Sequence, residues 1–170
     1  MTPLNAATPH PVVRPSEWSY GWSTCVHRGW QVTHLQPTPG SVSITPRPES
    51  VTVTIGDGPG SAPWCTTVEL SLDGRVSAHT CASPPCVLLT TREVRMVPDG
   101  PESVGTVTLD VGDRLLMMSA DALGALPEAL STMRRSATPT LDVDRPGDLL
   151  QRLLHDLPIG AAAVATRTRL

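Results

Sequence analysis

Asp57 stands in the stretch TIGDGPGSAPW, residues 54–64, as an acid between glycines just after the β-branched run SVTVTI. An acid held on a tight turn at a strand end can ligate a hard dication, because such ions take oxygen ligands. The same residues also suit the tip of a hairpin, and both readings stand at this point. Asp121, in SADAL, is a second isolated acid, placed to be the N-cap of a following helix. Cys81 and Cys86 bracket CASPPC, with His79 two residues earlier; four intervening residues and no second pair argue against zinc. A nucleophilic cysteine with His27, His34 or His79 as base depends on spatial adjacency that spacing does not reveal. The glycines of GDGPG lack the Gly-Lys-Ser/Thr ending of a phosphate-binding loop. Trp18, Trp22 and Trp30 read as core packing rather than as a stacking platform.

The elements that must position these residues come from a chain of 170 residues, enough for one domain with one core. Phenylalanine is absent and tyrosine occurs once, so Val, Leu, Ile and Ala must fill the core with help from the four tryptophans. A net charge of −3 provides no electrostatic footprint for nucleic acid or an anionic membrane. No stretch reaches the ~20 apolar residues of a bilayer-spanning helix. The opening MTPLNAATPHPVVRPSE has neither a basic head nor an apolar core, so it is expected to be a flexible Pro-rich arm, residues 1–17, and not a secretory signal. Residues 18–170 then form the domain. Cys25, Cys65, Cys81 and Cys86 are expected as reduced, mostly buried thiols of a cytoplasmic protein.

Residues from about 18 to 120 alternate β-branched runs with Gly, Pro, Asp and Ser, the pattern of short antiparallel strands. In SVTVTI, Val51, Val53 and Ile55 alternate with threonines and predict one buried face. CTTVELSLDGRVSAHTC predicts a hairpin on the Asp73-Gly74 turn. CVLLTTREVRMVP predicts another, turning near Thr90–Glu93. In SVGTVTLDVGD, Val104, Thr106 and Thr108 are expected to face away from Val107 and Leu109. RLLMMSA is apolar without alternation, as in a central strand covered on both faces. Two late helices are expected. LPEALSTMRR has Pro127 and Glu128 in its first turn and Arg134-Arg135 in its last. DRPGDLLQRLLHDLP has leucines on one face and is stopped by Pro158. AAAVATRTRL closes the domain as a strand with Arg167 and Arg169 exposed.

Several of these strings, in this order, resemble the metal-dependent serine/threonine phosphatases of the PP2C (PPM) type, bacterial branch. TIGDGPGSAP is similar to the family's Asp-Gly turn followed by Gly-Ser-Ala. LDGRVSAHTCASPPCVLLTTREVRMVP is similar to its central hairpins, and LDVGDRLLMMSADAL to the strand that ends in Thr-Asp-Gly. SYGWSTCVHRGWQVTHLQPTPG is similar to the opening strand and loop. The resemblance covers most of residues 18–169. It implies an α+β fold, an antiparallel β-sandwich of PP2C type, here with the early helices missing and two short late helices.

The resemblance also implies two Mn²⁺ or Mg²⁺ ions held by carboxylates and a carbonyl, activating a water for attack on a phosphoester. Asp57, with the Gly58 carbonyl, and Asp121 match two of the four ligand-bearing places. The opening-loop acid has no match in GSVSI near residues 40–44, and the acidic pair before the last strand is replaced by Gly160-Ala161. Asp57, Gly58 and Asp121 are therefore expected to be relic ligands, with no catalytic residue assigned and no cofactor expected. Mn²⁺ or Mg²⁺ would be the cofactor of a working site, completed by acids such as Glu17, Glu49 or Asp156. PGSAPWC cannot hold the helices that cover one sheet in the family, so that face must be polar or covered by something else. The expected function is a degenerate, non-catalytic phosphatase-like module of phospho-signalling, acting through a protein partner or a second copy at the uncovered sheet face. A working metal-dependent phosphatase is the alternative.

Overall fold

A computed structural model of the chain describes residues 22–36, 40–56, 65–90, 92–99, 103–124, 145–154 and 160–170. The Pro-rich arm, Trp18, Asp57, Gly58, the LPEALSTMRR segment and Pro158 lie outside the described residues, as do two of the substitute acids, Glu17 and Asp156.

The strands are β1 (Trp22–His27), β2 (Trp30–Leu35), β3 (Val42–Pro46), β4 (Ser50–Gly56), β5 (Cys65–Ser71) and β6 (Arg75–Cys81). They continue as β7 (Cys86–Leu89), β8 (Val94–Val97), β9 (Val104–Thr108), β10 (Arg114–Met118) and β11 (Ala162–Arg167). Residues 120–124 are helical, α1, and α2 spans Pro146–Leu154. Two antiparallel sheets result, ordered β1-β2-β11-β10-β7-β8 and β3-β4-β5-β6-β9. β10 lies between β11 and β7, the central place expected for RLLMMSA.

The tight turns follow local chemistry. Arg28 and Gly29, at φ 49° and 74°, join the paired residues His27 and Trp30, as a two-residue hairpin turn with both φ positive requires. Gly74, at φ 90°, closes the β5–β6 turn with its N–H on the Ser71 carbonyl. At the β7–β8 turn, the Thr90 hydroxyl accepts the N–H groups of Arg92 and Glu93.

Alternation decides the faces. Val51, Val53, Ile55, Val68 and Leu70 from one sheet meet Trp30, Val32, Leu115, Met117 and Ala163 from the other in the sandwich core. Across the six-stranded sheet, Leu116, Met118, Val87 and Val164 pack under Leu149, Leu150, Leu153 and Leu154 of α2. Burying those four helix leucines is worth about 6–12 kcal/mol as an upper estimate.

The outer face of the five-stranded sheet is different. Thr45, Thr52, Glu69, Ser77 and Thr106 lie side by side in register across its five strands. The next row reads Ser43, Thr54, Thr67, His79 and Val104. These side chains are exposed or half-buried. Of the two possibilities left by the short β4–β5 connection, the polar face holds among the described residues. Threonine suits such a surface because it keeps β propensity without adding a large apolar patch.

Arg167 corrects the expectation of an exposed cation. It is half-buried, with its guanidinium 5.2 Å from the centre of the Trp30 ring. It donates to the Leu72 carbonyl at 2.7 Å and to the Gly29 carbonyl at 3.3 Å, tying a turn of each sheet together. The thiols also need correcting: Cys86 is buried, whereas Cys25, Cys65 and Cys81 are half-buried, and all four are free.

Candidate functional site

The candidate site is the end of the sandwich where β4, β10 and β11 meet their connections. Gly56 ends β4 opposite Cys65, so only residues 57–64 join β4 to β5, and Asp57 and Gly58 belong to that connection. On its near side, Gly56 donates its N–H to the Ser41 carbonyl. The loop that would carry the opening acid thus does approach the Asp57 connection, bringing Ser41 rather than a carboxylate.

Asp121 follows β10 through a short, tightly bonded corner. Ser119 is buried; its N–H donates to the Ala161 carbonyl at 2.9 Å, and its Oγ accepts the Ala161 N–H at 3.0 Å. The Ser119 carbonyl accepts the Leu123 N–H, which makes Ser119 the N-cap residue and places Asp121 in the first turn. The expectation that Asp121 is the cap is therefore corrected: it is exposed, inside the helix start, where its charge suits the helix dipole. Ser119 was missed from sequence, although a serine just before an Ala-Asp helix start is an ordinary capping signal. Here its Oγ serves the next strand instead.

Gly160 lies directly against this corner. It holds φ +103°, and a Cβ built on it falls 2.9 Å from Ser119 Oγ and 3.3 Å from Asp121 Cβ. The place where the resemblance puts an acid thus does face Asp121, but its backbone conformation disfavours any side chain. Ala161, beside it, is fully buried. Ala122 stands in place of the family's glycine after Asp121 and is buried in the core beneath α2.

The described donors do not fit two dications. Among the described residues, no three His, Cys, Asp or Glu side chains come together as a metal site. Glu49 is excluded as a substitute ligand because it precedes Ser50, at the other end of β4 from Gly56. At ~3.3 Å per residue that separation is roughly 23 Å. The zinc alternative is dispersed too: His79 and Cys81 lie on the outer face of β6, whereas Cys86 is in the core. Burial pushes the Cys86 thiol up to about 12, which leaves it neutral and unreactive near neutral pH.

Burial lowers the pKa of His34. This residue follows Trp30 and Val32 on the same face of β2. Its Nδ1 is buried without a hydrogen-bond partner among the described residues.

Comparison with solved structures places this architecture. The chain superposes on the phosphatase domain of the cell fate determinant SpoIIE from Bacillus subtilis with a TM-score of 0.55 and 14% identity, over 86% of this chain and 92% of that one. RsbX, crystallised with magnesium, gives 0.54 and 9%, over 87% and 100%. The catalytic domain of the serine/threonine phosphatase PstP, in complex with two manganese ions, gives 0.50 and 12%, over 87% and 98%. No family model and no curated protein matches the sequence. The chain has the fold of the bacterial PP2C phosphatase domains, in a divergent form.

Proposed function

We propose that the chain is a degenerate, non-catalytic phosphatase-like module that acts in cytoplasmic phospho-signalling by binding protein, either a partner or a second copy. The observation that carries this reading is Gly160. At the position facing Asp121, where a catalytic relative needs a carboxylate, the backbone holds φ +103° and a Cβ meets Ser119 Oγ at 2.9 Å. A two-metal centre needs several carboxylates to offset its charge, and among the described residues this corner supplies Asp121 alone. Asp57, Gly58 and Asp121 are then relic ligands. The binding half of the proposal draws on the outer face of the five-stranded sheet, which no described element covers. Its Thr/Ser rows favour a hydrated, hydrogen-bonded protein interface over an apolar seam.

The test is calorimetric titration with Mn²⁺ combined with p-nitrophenyl phosphate turnover. Neither saturable binding of two ions nor turnover is expected. Turnover that requires Mn²⁺ and disappears in both Asp57→Asn and Asp121→Asn would establish the alternative, an active Mn²⁺/Mg²⁺-dependent protein phosphatase.

A further inference from the structure

We propose that Cys65 and Cys81 form a reversible redox site, a cross-strand disulfide on the outer face of the five-stranded sheet. The two residues are direct Cα partners in the β5–β6 ladder. Opposed residues of an antiparallel pair have Cα atoms about 4.5–5.5 Å apart. That range lies inside the roughly 4.4–6.8 Å that disulfides span, so closure requires side-chain rotation and no strand movement. Both cysteines share a face: on β5, Thr66, Val68 and Leu70 point inward, and on β6, Val76 and Ala78 do. Both are half-buried and free. On its other side Cys65 is paired with Gly56, which presents no side chain to crowd the bond.

The ends of the two strands are held in place independently of the thiols. The Thr66 hydroxyl, buried beneath Cys65, hydrogen-bonds the Pro84 carbonyl at 2.8 Å and the Ser83 hydroxyl at 3.1 Å. It thereby anchors the loop that leaves Cys81. The other two cysteines have no such partner. Cys86 is in the core, and Cys25 is paired with Val32 in the other sheet.

The co-reactant is a low-molecular-weight disulfide. The thiolate of one cysteine attacks it, forming a mixed disulfide and releasing one small thiol. The second cysteine then attacks the protein-bound sulfur and releases the other. Two protein thiols become one disulfide, and two electrons and two protons leave on the two small thiols. A dithiol reverses the reaction. Because Cys65 directly follows the 57–64 connection that carries Asp57 and Gly58, the bond would fasten one root of that connection to β6.

The experiment uses the full chain incubated with glutathione disulfide, acid-quenched, alkylated and digested with trypsin. Cys65 lies in the fragment of residues 29–75 and Cys81 in that of residues 76–92. The expected result is the loss of two alkylatable thiols and a covalent link between these fragments, reversed by dithiothreitol. The link should persist in Cys86→Ala and disappear in Cys65→Ser and in Cys81→Ser, two outward positions where circular dichroism should remain native. Four alkylatable thiols after oxidation, glutathione adducts without a link, a Cys81–Cys86 bridge inside the 76–92 fragment, or disulfides only between chains would each overturn the proposal. It stands apart from the metal question, since a Mn²⁺ titration of either outcome leaves it intact.

Discussion

Gly160→Asp supplies the carboxylate that the candidate site lacks, and the structure makes it a damaging substitution. At φ +103° a residue with a Cβ is strained, and that Cβ meets Ser119 Oγ at 2.9 Å. The hydroxyl can yield only by turning away from the Ala161 N–H, which it accepts at 3.0 Å inside the core. Backbone strain of this kind costs about 1–3 kcal/mol, and an orphaned buried N–H costs about 1–3 more. Together they give about 2–6 kcal/mol, or a fall in Tm of roughly 4–24 °C for a domain of this size. Thermal unfolding followed by circular dichroism measures it. Gly160→Ala should lose a similar amount, because the cost belongs to the backbone and the Cβ. Gly124→Asp, where a Cβ meets nothing within 4 Å, should stay near wild type. A Gly160→Asp protein that melts within a degree of wild type, or that gains Mn²⁺-dependent turnover, would refute the argument that this position is closed to an acid.

Arg167→Ala removes two charge-assisted hydrogen bonds and the stacking on Trp30, and should cost about 2–4 kcal/mol in urea denaturation; an unchanged midpoint would mean that the clamp contributes nothing. For Cys86, the folded pKa of about 12 lies above the unfolded value of 9.0, so its contribution is complete below pH 9 and is lost as pH rises towards 12. Each pH unit in that window should remove about 1.4 kcal/mol, measured as the fall in unfolding free energy, and Cys86→Ala should flatten that slope.

Much of the fold was legible because one-sided burial leaves a periodic trace. Val51, Val53 and Ile55 identified an inward face, Asp73-Gly74 a turn, and Leu149, Leu150, Leu153 and Leu154 a helix packed on one side; the structure has each where the pattern put it. Residues whose meaning depends on distant partners were not legible. Arg167 reads as an exposed terminal cation until Trp30, Gly29 and Leu72 are brought beside it. Arg28-Gly29 does not announce a hairpin, because arginine rarely adopts a positive φ. At the candidate site, sequence revealed that Gly160-Ala161 lacked acids. It could not reveal that Gly160 faces Asp121 in a conformation reserved for glycine. The predicted hairpin CTTVELSLDGRVSAHTC brings its two ends near each other, but only the observed register makes Cys65 and Cys81 direct partners.

The two departures from a metal-dependent phosphatase lie in different parts of the molecule and have one physical consequence. A sheet that loses its helical cover must expose its outer face, and an apolar face would then drive self-association. Here that face carries Thr/Ser rows, with Thr54 and Thr67 hydrogen-bonded across strands at 3.3 Å, while the inner face keeps its valines and leucines. Among the described residues the outer face of this sheet is thus matched by its own polar side chains. At the sandwich end, the Ser119–Ala161 corner is likewise complete in itself: its polar groups satisfy one another, and Gly160 leaves no gap that a bound cation must fill. A metal site from which only ligands had been deleted would leave donors oriented towards an empty centre. The described part of this corner instead has its hydrogen bonds turned inward on the protein.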